Sequence, residues 1–428
     1  MSSRIPENFP YASATKYSGI MLDFSKVSAA QLREVGSLKW TGKTNPKTGE
    51  ALMGCWVAEM DFVTAPPVLE ALTTAITSGL LGYMPPQLPQ NLRTETARLL
   101  GERYGWEVEP EAITPVVDVL SILREHITLA TSPGEQIVVP TPAYMPFLTI
   151  PGQLGRECVQ VPSRFIDGQW SLDMVALHEA LARPQAKLLI LCNPWNPTGR
   201  VLSEAELQQV SQLALETGVQ VFADEIHAPL TMPGFRHIPF ASLSPEVAAV
   251  TVTAHAASKG WNLAGLHCAQ LVISDANLRQ AWQEVATRMS HGATPLGVLA
   301  TTVAYREGRE WLEEVREYLS VNLSQGRDLA CQLAPKLQAP ALQGTYLQAW
   351  DCAAYSDNPV AVAEEQAGVA VNGGTILGDA YPTLLRLNAA TPRHLYLEMV
   401  QRLASALVAS PIAPHEPAAH AVKRVRPL

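Results

Sequence analysis

An α/β fold with a mostly parallel sheet between helices, joined to a smaller α/β domain built from both ends of the chain, is the architecture the sequence predicts, and three observations carry it. From about Pro66, apolar runs of strand length alternate with amphipathic stretches of helical period. The strand-length runs are those of buried strands, which implies a sheet wound by helical crossovers and covered on both faces. After about Asp275 this rhythm gives way to long helical stretches and then to short strands, which marks a second domain.

Taken in order, PPVLEALTTAITSGL at Pro66 reads as a helix, EQIVVP at Glu135 as a strand, SLDMVALHEALAR at Ser171 as a helix and AKLLILCN at Ala186 as a strand. SEAELQQVSQLALETG opens on Ser203 with Glu206 three residues on, a capping-box pattern, and closes at Gly218. VQVFADE and AAVTVTA are further buried strands. NLRQAWQEVATRM and REWLEEVREYLSVNLSQGRDLACQLA are long helices, and TYLQAWD and LLRLNAA short strands. The expected organisation is an N-terminal arm and part of the small domain over 1–62, a large domain over 63–300, the C-terminal part of the small domain over 301–408, and a tail over 409–428. That tail is rich in Pro and Ala without periodicity, and disorder is expected there.

Composition narrows the function. With 47% hydrophobic and 17% charged residues in 428, the chain can bury a large core. The net charge of −9, with basic residues dispersed, argues against a nucleic-acid or anionic-membrane surface and favours a small polar substrate. No run approaches the ~18 apolar residues of a membrane span, and MSSRIPENFPYASATKYSG lacks an apolar signal core, so cytoplasm is the expected location. Cys55, Cys158, Cys192, Cys268, Cys331 and Cys352 form no C-x-x-C pair and no zinc spacing; they read as reduced thiols and no metal site is expected.

Sites in such sheets lie outside the carboxyl ends of the strands, and three polar residues fall there. Asn196 sits in the turn NPWNPTG after LLILC, Asp224 ends VQVFAD, and Lys259 follows the next strand in HAASKGWNLAGL. Lys259 is the only lysine between Lys187 and Lys336, set among small and apolar residues. A lone lysine of this kind can simply lay its stem on the protein with the ammonium in water; a desolvated one can form a Schiff base. An unpaired carboxylate at Asp224 would be expensive in a buried strand. Pyridoxal 5′-phosphate would explain all three, since it needs a lysine for its Schiff base, a carboxylate beside its pyridine nitrogen and a donor to its phenolic oxygen. An ion-pair network would also bring Asp and Lys together.

The series NPWNPTG, ADEIH and ASKGWNLAGL closely resembles the fold-type I pyridoxal-phosphate enzymes of the class I/II aminotransferase superfamily, over about Asp23 to Leu407. CWVAEMDF at Cys55, Asp-Glu-Ile-His at Asp224, GFRHIPFASLSPE at Gly234 and RLNAATPR at Arg386 resemble more narrowly its carbon–sulfur β-lyase branch, the cystathionine β-lyases of the MalY/PatB type. The resemblance implies that Lys259 carries the cofactor and moves the proton at the substrate Cα, that Asp224 pairs with the pyridine nitrogen, and that Asn196, helped by His227, bonds the phenolic oxygen. It implies a stacking role for Tyr144 in PTPAYMPF, where a core tyrosine is the alternative, and a grip on the substrate carboxylate for Arg386, where a surface salt bridge is the alternative. The phosphate is expected at the helix start in TPVVDVLSIL, at Val117, Asp118 and Val119, with the Asp118 side chain turned away as a helix cap. Ala256 stands where many relatives have a phosphate-binding serine, leaving Ser258 or Thr253 as substitutes, and Glu59 stands where the branch usually has Asp. Tyr83 in LLGYMPP resembles a tyrosine that reaches the neighbouring subunit's phosphate and contributes to substrate binding, which implies a homodimer with shared sites.

The expected reaction is α,β-elimination from cystathionine or another S-substituted L-cysteine to thiol, pyruvate and ammonia, with Lys259 or a nearby tyrosine protonating the departing thiolate; Lys259 and Tyr144 are the expected catalytic residues. The alternatives are an aminotransferase on the same scaffold and, less in keeping with the retained lysine, aspartate and arginine, a regulatory protein. The pocket for the sulfur substituent is expected to be lined by the N-terminal segment, the Trp195 and Trp261 regions and the partner subunit.

Overall fold

Seven segments, the central ones largely buried on both alternating faces, assemble into one sheet in a computed structural model that describes residues 27–410. They are β1 (Ile113–Val116), β2 (Gln136–Thr141), β3 (Glu157–Pro162), β4 (Ala186–Cys192), β5 (Gln220–Asp224), β6 (Thr251–His255) and β7 (Ala269–Val272). Their order across the sheet is β1-β7-β6-β5-β4-β2-β3. The pairs β6/β5, β5/β4, β4/β2 and β2/β3 are parallel, while β7 runs antiparallel to β1 and β6. Between β6 and β7 the chain forms only a four-residue helical turn and a short 3₁₀ turn. That is too little helix to cross back over the sheet, so the chain returns antiparallel.

Both faces of the sheet are covered, as the unbroken apolar runs require. Ile190, Phe222, Val252 and Ala254 pack on one side with Ile122, Leu123 and Ile127 of the helix Val119–Ala130. Leu189, Leu191, Val221 and Ala223 pack on the other with Leu207, Val210 and Ala214 of the helix Glu204–Thr217. The ends of that second helix are set by the predicted chemistry. Ser203 Oγ accepts the Glu206 amide, the Glu206 carboxylate accepts the Ser203 amide, and Gly218 closes the helix in the left-handed conformation at φ 69°. Such a cap is typically worth ~1 kcal/mol. The helices Gln87–Tyr104 and Pro295–Glu307 and the strands β1, β3 and β7 were not apparent in the sequence. QLPQNLRTETARLLGERY is mostly polar and has a proline in its first turn, so its apolar stripe is thin; the strands are short.

The second sheet is antiparallel and has three strands, β8 (Leu347–Asp351), β9 (Asn372–Gly373) and β10 (Leu384–Asn388), in the order β8-β10-β9. It packs with the 25-residue helix Arg309–Leu333 and the helix Arg393–Ala409 into one core. Gly326 allows the two helices to approach closely, since the Tyr396 ring occupies the space a Cβ would need. Met53–Gly54 pairs in parallel with Val369–Ala370, so both ends of the described chain contribute to this smaller unit. Residues 1–26 of the expected arm and 411–428 of the expected tail lie outside the described residues.

A buried ion pair anchors the N-terminal segment there. Lys39 Nζ lies 2.8 Å from Asp61 Oδ2 and donates to Ala390 O, while Trp40 Nε1 donates to Asp61 Oδ1 at 2.9 Å. Both ionic side chains are essentially inaccessible to water. Removing one partner of a buried pair leaves an uncompensated charge and costs about 3–5 kcal/mol, far more than the pair contributes as a whole. Asp61→Ala is therefore expected to lower the urea unfolding free energy by about that amount, and Lys39→Met combined with Asp61→Leu by clearly less. Equal losses in the single and double variants would refute this account.

Candidate active site

The register of β4, β5 and β6 brings three chain reversals to one edge of the large sheet. Cys192 pairs with Asp224 and Asp224 with Ala254, so the carboxyl ends of three adjacent strands stand level. Beyond them opens a cavity of about 260 Å³. Asn196 reaches it from the turn after β4, Asp224 from the last position of β5, and Ser258 and Lys259 from the helical turn Ala257–Gly260 after β6. Tyr144 enters from the segment after β2, and Val117, Asp118 and Val119 from the junction of β1 with its helix. The three strand-end residues singled out in the sequence thus share one cavity.

The electrostatics of these groups follow from burial. Desolvation lowers Lys259 to about 8, helped by the positive charge of Arg386 and opposed by Asp224 and Glu59. Its Nζ donates to Ala58 O at 2.7 Å. Asp224 is raised to about 7, chiefly by burial, and its Oδ1 accepts the Ile226 amide at 3.1 Å. His227 is pushed down to about 3 by burial and by the nearby cations Lys259 and Arg386, so the ring is neutral; its Nδ1 is buried without a partner among the described residues. Tyr144 is raised by burial and stays a phenol at neutral pH. It sits edge-on to Phe147, with ring centroids 5.5 Å apart.

Arg386 occupies the middle of β10, 2% exposed, not at the surface where its salt-bridge alternative would put it. It donates to Trp56 O at 2.8 Å and, at 3.4 Å, to Asn196 Oδ1, and burial lowers it to about 10. With Oδ1 turned toward Arg386, the Nδ2 of Asn196 has no hydrogen-bond partner among the described residues and is the donor left for the cavity. The segment Trp56–Phe62 has little regular structure, and side chains hold its carbonyls. Asn372 and Arg386 bind Trp56 O, Asn388 binds Val57 O and Glu59 O, Lys259 and Tyr346 bind Ala58 O, and Asn262 binds Met60 O and Phe62 O. Carbonyl acceptors leave no side-chain signature, so this part of the site was not legible in the sequence. Glu59 accepts the Lys39 amide at 3.2 Å and does not line the cavity.

Other expectations need adjusting. Asp118 is at the cavity, and its Oδ1 accepts the Ser121 amide at 2.7 Å as the expected helix cap, while the two residues at the helix start, Val119 and Leu120, face the cavity. Of the two substitutes for Ala256, Ser258 lines the cavity; Thr253 does not, lying in the middle of β6 with its hydroxyl buried and without a partner among the described residues. The Trp195 and Trp261 regions do reach this cavity, through Asn196, Ser258, Lys259 and Ala264, but the two indole rings do not line it. Both are buried in cores, 3% and 1% exposed, with their indole N–H groups committed to Pro142 O and Gly308 O. Tyr83 does not line this chain's cavity and is 99% exposed. His267, which lines the cavity, was missed because nothing in its local sequence marks it.

A lysine amine with a lowered pKa, a buried carboxylate, a neutral imidazole with an unpartnered nitrogen and a helix start around one cavity fit pyridoxal 5′-phosphate. Lys259, Asp224, Asn196, His227, Tyr144 and the 117–120 segment are the residues able to hold it. The sequence profile described as aminotransferase class I and II matches residues 57–407, and the chain belongs to that family. Within it, the chain is 33% identical over 380 residues to the cystathionine β-lyase PatB of Bacillus subtilis, covering 87% of this chain and 96% of that protein. Cystalysin of Treponema denticola, whose crystal structure contains pyridoxal 5′-phosphate, superposes with a TM-score of 0.83 at 28% identity, covering 90% of this chain and 98% of that one. The pyridoxal-phosphate-bound C–S lyase of Staphylococcus hominis superposes with a TM-score of 0.83 at 26% identity, covering 91% and 99%.

Proposed function

We propose that this chain is a pyridoxal-phosphate-dependent carbon–sulfur β-lyase that converts an L-cysteine thioether such as cystathionine, with water, to a thiol, pyruvate and ammonia. The observation that carries the reading is the convergence of Lys259, Asp224 and Asn196 on one cavity, in a chain similar to a cystathionine β-lyase and to C–S lyases. When bound, the cofactor supplies an electron sink for the bonding pair at the substrate Cα.

The chain's own groups do the rest. Arg386 binds the α-carboxylate through its fork of N–H donors, and Asn196 beside it fixes the orientation. Lys259, with a pKa near 8, is partly neutral at physiological pH; its Nζ takes the proton from Cα and is then an acid for the departing sulfur. Asp224, ionised by pairing with a cationic ring nitrogen, keeps that nitrogen protonated. His227 is neutral and adds no competing charge beside Asp224. Replacing Arg386 by Lys keeps a cation and loses the fork. The change is expected to raise KM for the thioether ~10–100-fold, with a smaller change in kcat, as befits a hydrogen bond to a charged group. A change in kcat alone, by steady-state kinetics, would remove Arg386 from carboxylate binding.

The active unit is proposed to be a homodimer in which Tyr83, exposed in one protomer, reaches the phosphate bound by its partner; the expected Tyr83 role in substrate binding rests on the same assembly. Six free thiols suit a reducing cytoplasm. The deciding experiment incubates purified protein with L-cystathionine and no keto acid, following pyruvate and free thiol together. Equal release of both supports the lyase; turnover only with an added keto acid, without thiol, would make the protein an aminotransferase.

A further inference from the structure

Three stretches of the chain converge behind the site, and the reaction described above uses none of the three residues at which they meet. Asn193 opens NPWNPTG, Glu225 follows Asp224 in ADEIH, and His237 stands in GFRHIPFASLSPE. Each is 2% exposed, and none lines the cofactor cavity. Successive residues at a strand end point to opposite sides, so with Asp224 at the cavity Glu225 is turned away from it, toward His237. His237 Nε2 stands 3.2 Å from Glu225 Oε2, and His237 Nδ1 stands 3.4 Å from Asn193 Nδ2. The Tyr104 ring sits edge-on to the imidazole, with centroids 5.2 Å apart.

The direction of each contact is fixed from both ends. Asn193 Oδ1 accepts the Leu202 amide at 2.9 Å, which leaves its Nδ2 to face the ring. The nitrogen opposite, His237 Nδ1, must then accept, and the ring proton is on Nε2, aimed at Glu225. Glu225 Oε1 accepts the Phe240 amide at 2.8 Å, so Oε2 is the oxygen left for that proton. Neither His237 Nε2 nor Glu225 Oε2 has another partner among the described residues. A carboxylate buried without such donors would be expensive. The same groups are tied to the site. The Asn193 amide donates to Asp224 O at 3.0 Å, and the bond from Leu202 to Asn193 closes the turn that carries Asn196.

We propose that Asn193, His237 and Glu225 are positioning residues of the lyase, a buried brace that holds the turn bearing Asn196 and the strand end bearing Asp224 at the spacing the cofactor ring requires. The inference rests on the cofactor reading above, and its test separates the two. Full-length protein freed of cofactor is titrated with pyridoxal 5′-phosphate by absorbance, and its turnover is then measured. The proteins compared are wild type, His237→Leu and His237→Gln, each alone and combined with Asp224→Asn. A glutamine amide can donate to Glu225 and accept from Asn193, whereas leucine can do neither. His237→Leu should bind the cofactor ~10-fold more weakly and turn over ~10²-fold more slowly, the scale of a small misplacement of site groups. His237→Gln should stay within about 3-fold of wild type in both. On Asp224→Asn the leucine change should cost no more than about 10-fold in turnover, because changes that act through one group do not add in full. Equal losses for Leu and Gln, losses that multiply in full on Asp224→Asn, or wild-type values for His237→Leu would overturn the brace and leave the cofactor reading intact. If His237→Leu does not fold, Glu225→Gln decides. Its amide N–H would meet the Nε2 proton of His237, donor against donor, so the same losses are expected, and wild-type values would refute the brace. Wild-type protein that binds no pyridoxal 5′-phosphate would overturn both readings.

Discussion

Lys259→Ala is expected to fold normally and to lose about 10⁴-fold in cystathionine turnover, the upper end of what one positioned acid–base group supplies. The lysine is asked to do more than hold the cofactor. Its Nζ must stand near Cα with a free electron pair, and burial arranges this by lowering the amine to about 8. Above that pH the amine is neutral in the cofactor-free protein; below it the ammonium dominates. Acylation of Lys259 in that form should therefore accelerate as pH rises through about 8, and peptide mapping after a short pulse of reagent would show it. The Ala58 carbonyl that accepts from Nζ at 2.7 Å must release it when the covalent link forms. The Lys259→Ala protein should still bind pyridoxal 5′-phosphate non-covalently, without borohydride-fixable linkage, and small primary amines should restore part of the turnover. Undiminished activity in this variant would sink the mechanism.

Asp224→Asn is expected to have opposite effects on the cofactor-free and the loaded protein. Without the cofactor, burial holds the carboxyl at about 7 against 3.8 for the ordinary side chain. The folded state then binds the proton more tightly than the unfolded chain. Its stabilising contribution is complete below about 3.8 and is lost as pH rises through about 7. At ~1.4 kcal/mol per tenfold, the loss above pH 7 amounts to up to about 4 kcal/mol. Cofactor-free Asp224→Asn should therefore be the more stable protein above pH 7, with the difference vanishing toward pH 4, in urea melts. With the cofactor bound, the carboxylate has a cationic partner and its burial is compensated, so Asn should weaken binding and reduce turnover ~10²–10⁴-fold by leaving the ring nitrogen unprotonated. If the loaded variant kept wild-type turnover, Asp224 would not be the partner of the ring.

Much of the fold was legible because its signals are local. The capping box at Ser203 and Glu206, the glycine at Gly218 and the apolar runs ending at Cys192, Asp224 and His255 each depend on a few neighbouring residues. Elements without such signals were missed. The polar helix Gln87–Tyr104 is stabilised by what it packs against, and β7 takes its direction from the short path back from β6. The site divides in the same way. Lys259, Asp224 and Arg386 stand out because an ionisable side chain among apolar residues needs a reason to be there; Asn196 is marked by its proline- and glycine-rich turn, and Tyr144 only by the resemblance to the family. The regions of Trp195 and Trp261 were expected at the pocket because they flank site residues in sequence; Asn196, Ser258 and Lys259 do line it, while both rings turn into cores.

By itself, then, the sequence determined the wound sheet and the residue types at its strand ends, since periodicity and the expense of buried charge are written residue by residue. Only the tertiary structure decided that β4, β5 and β6 end level, that the carbonyls of Trp56 to Phe62 face Arg386, Lys259 and Asn388, and that His267 rather than Thr253 borders the cavity. Register, carbonyl direction and side-chain facing arise from packing between segments far apart in the chain, and no local stretch of residues encodes them.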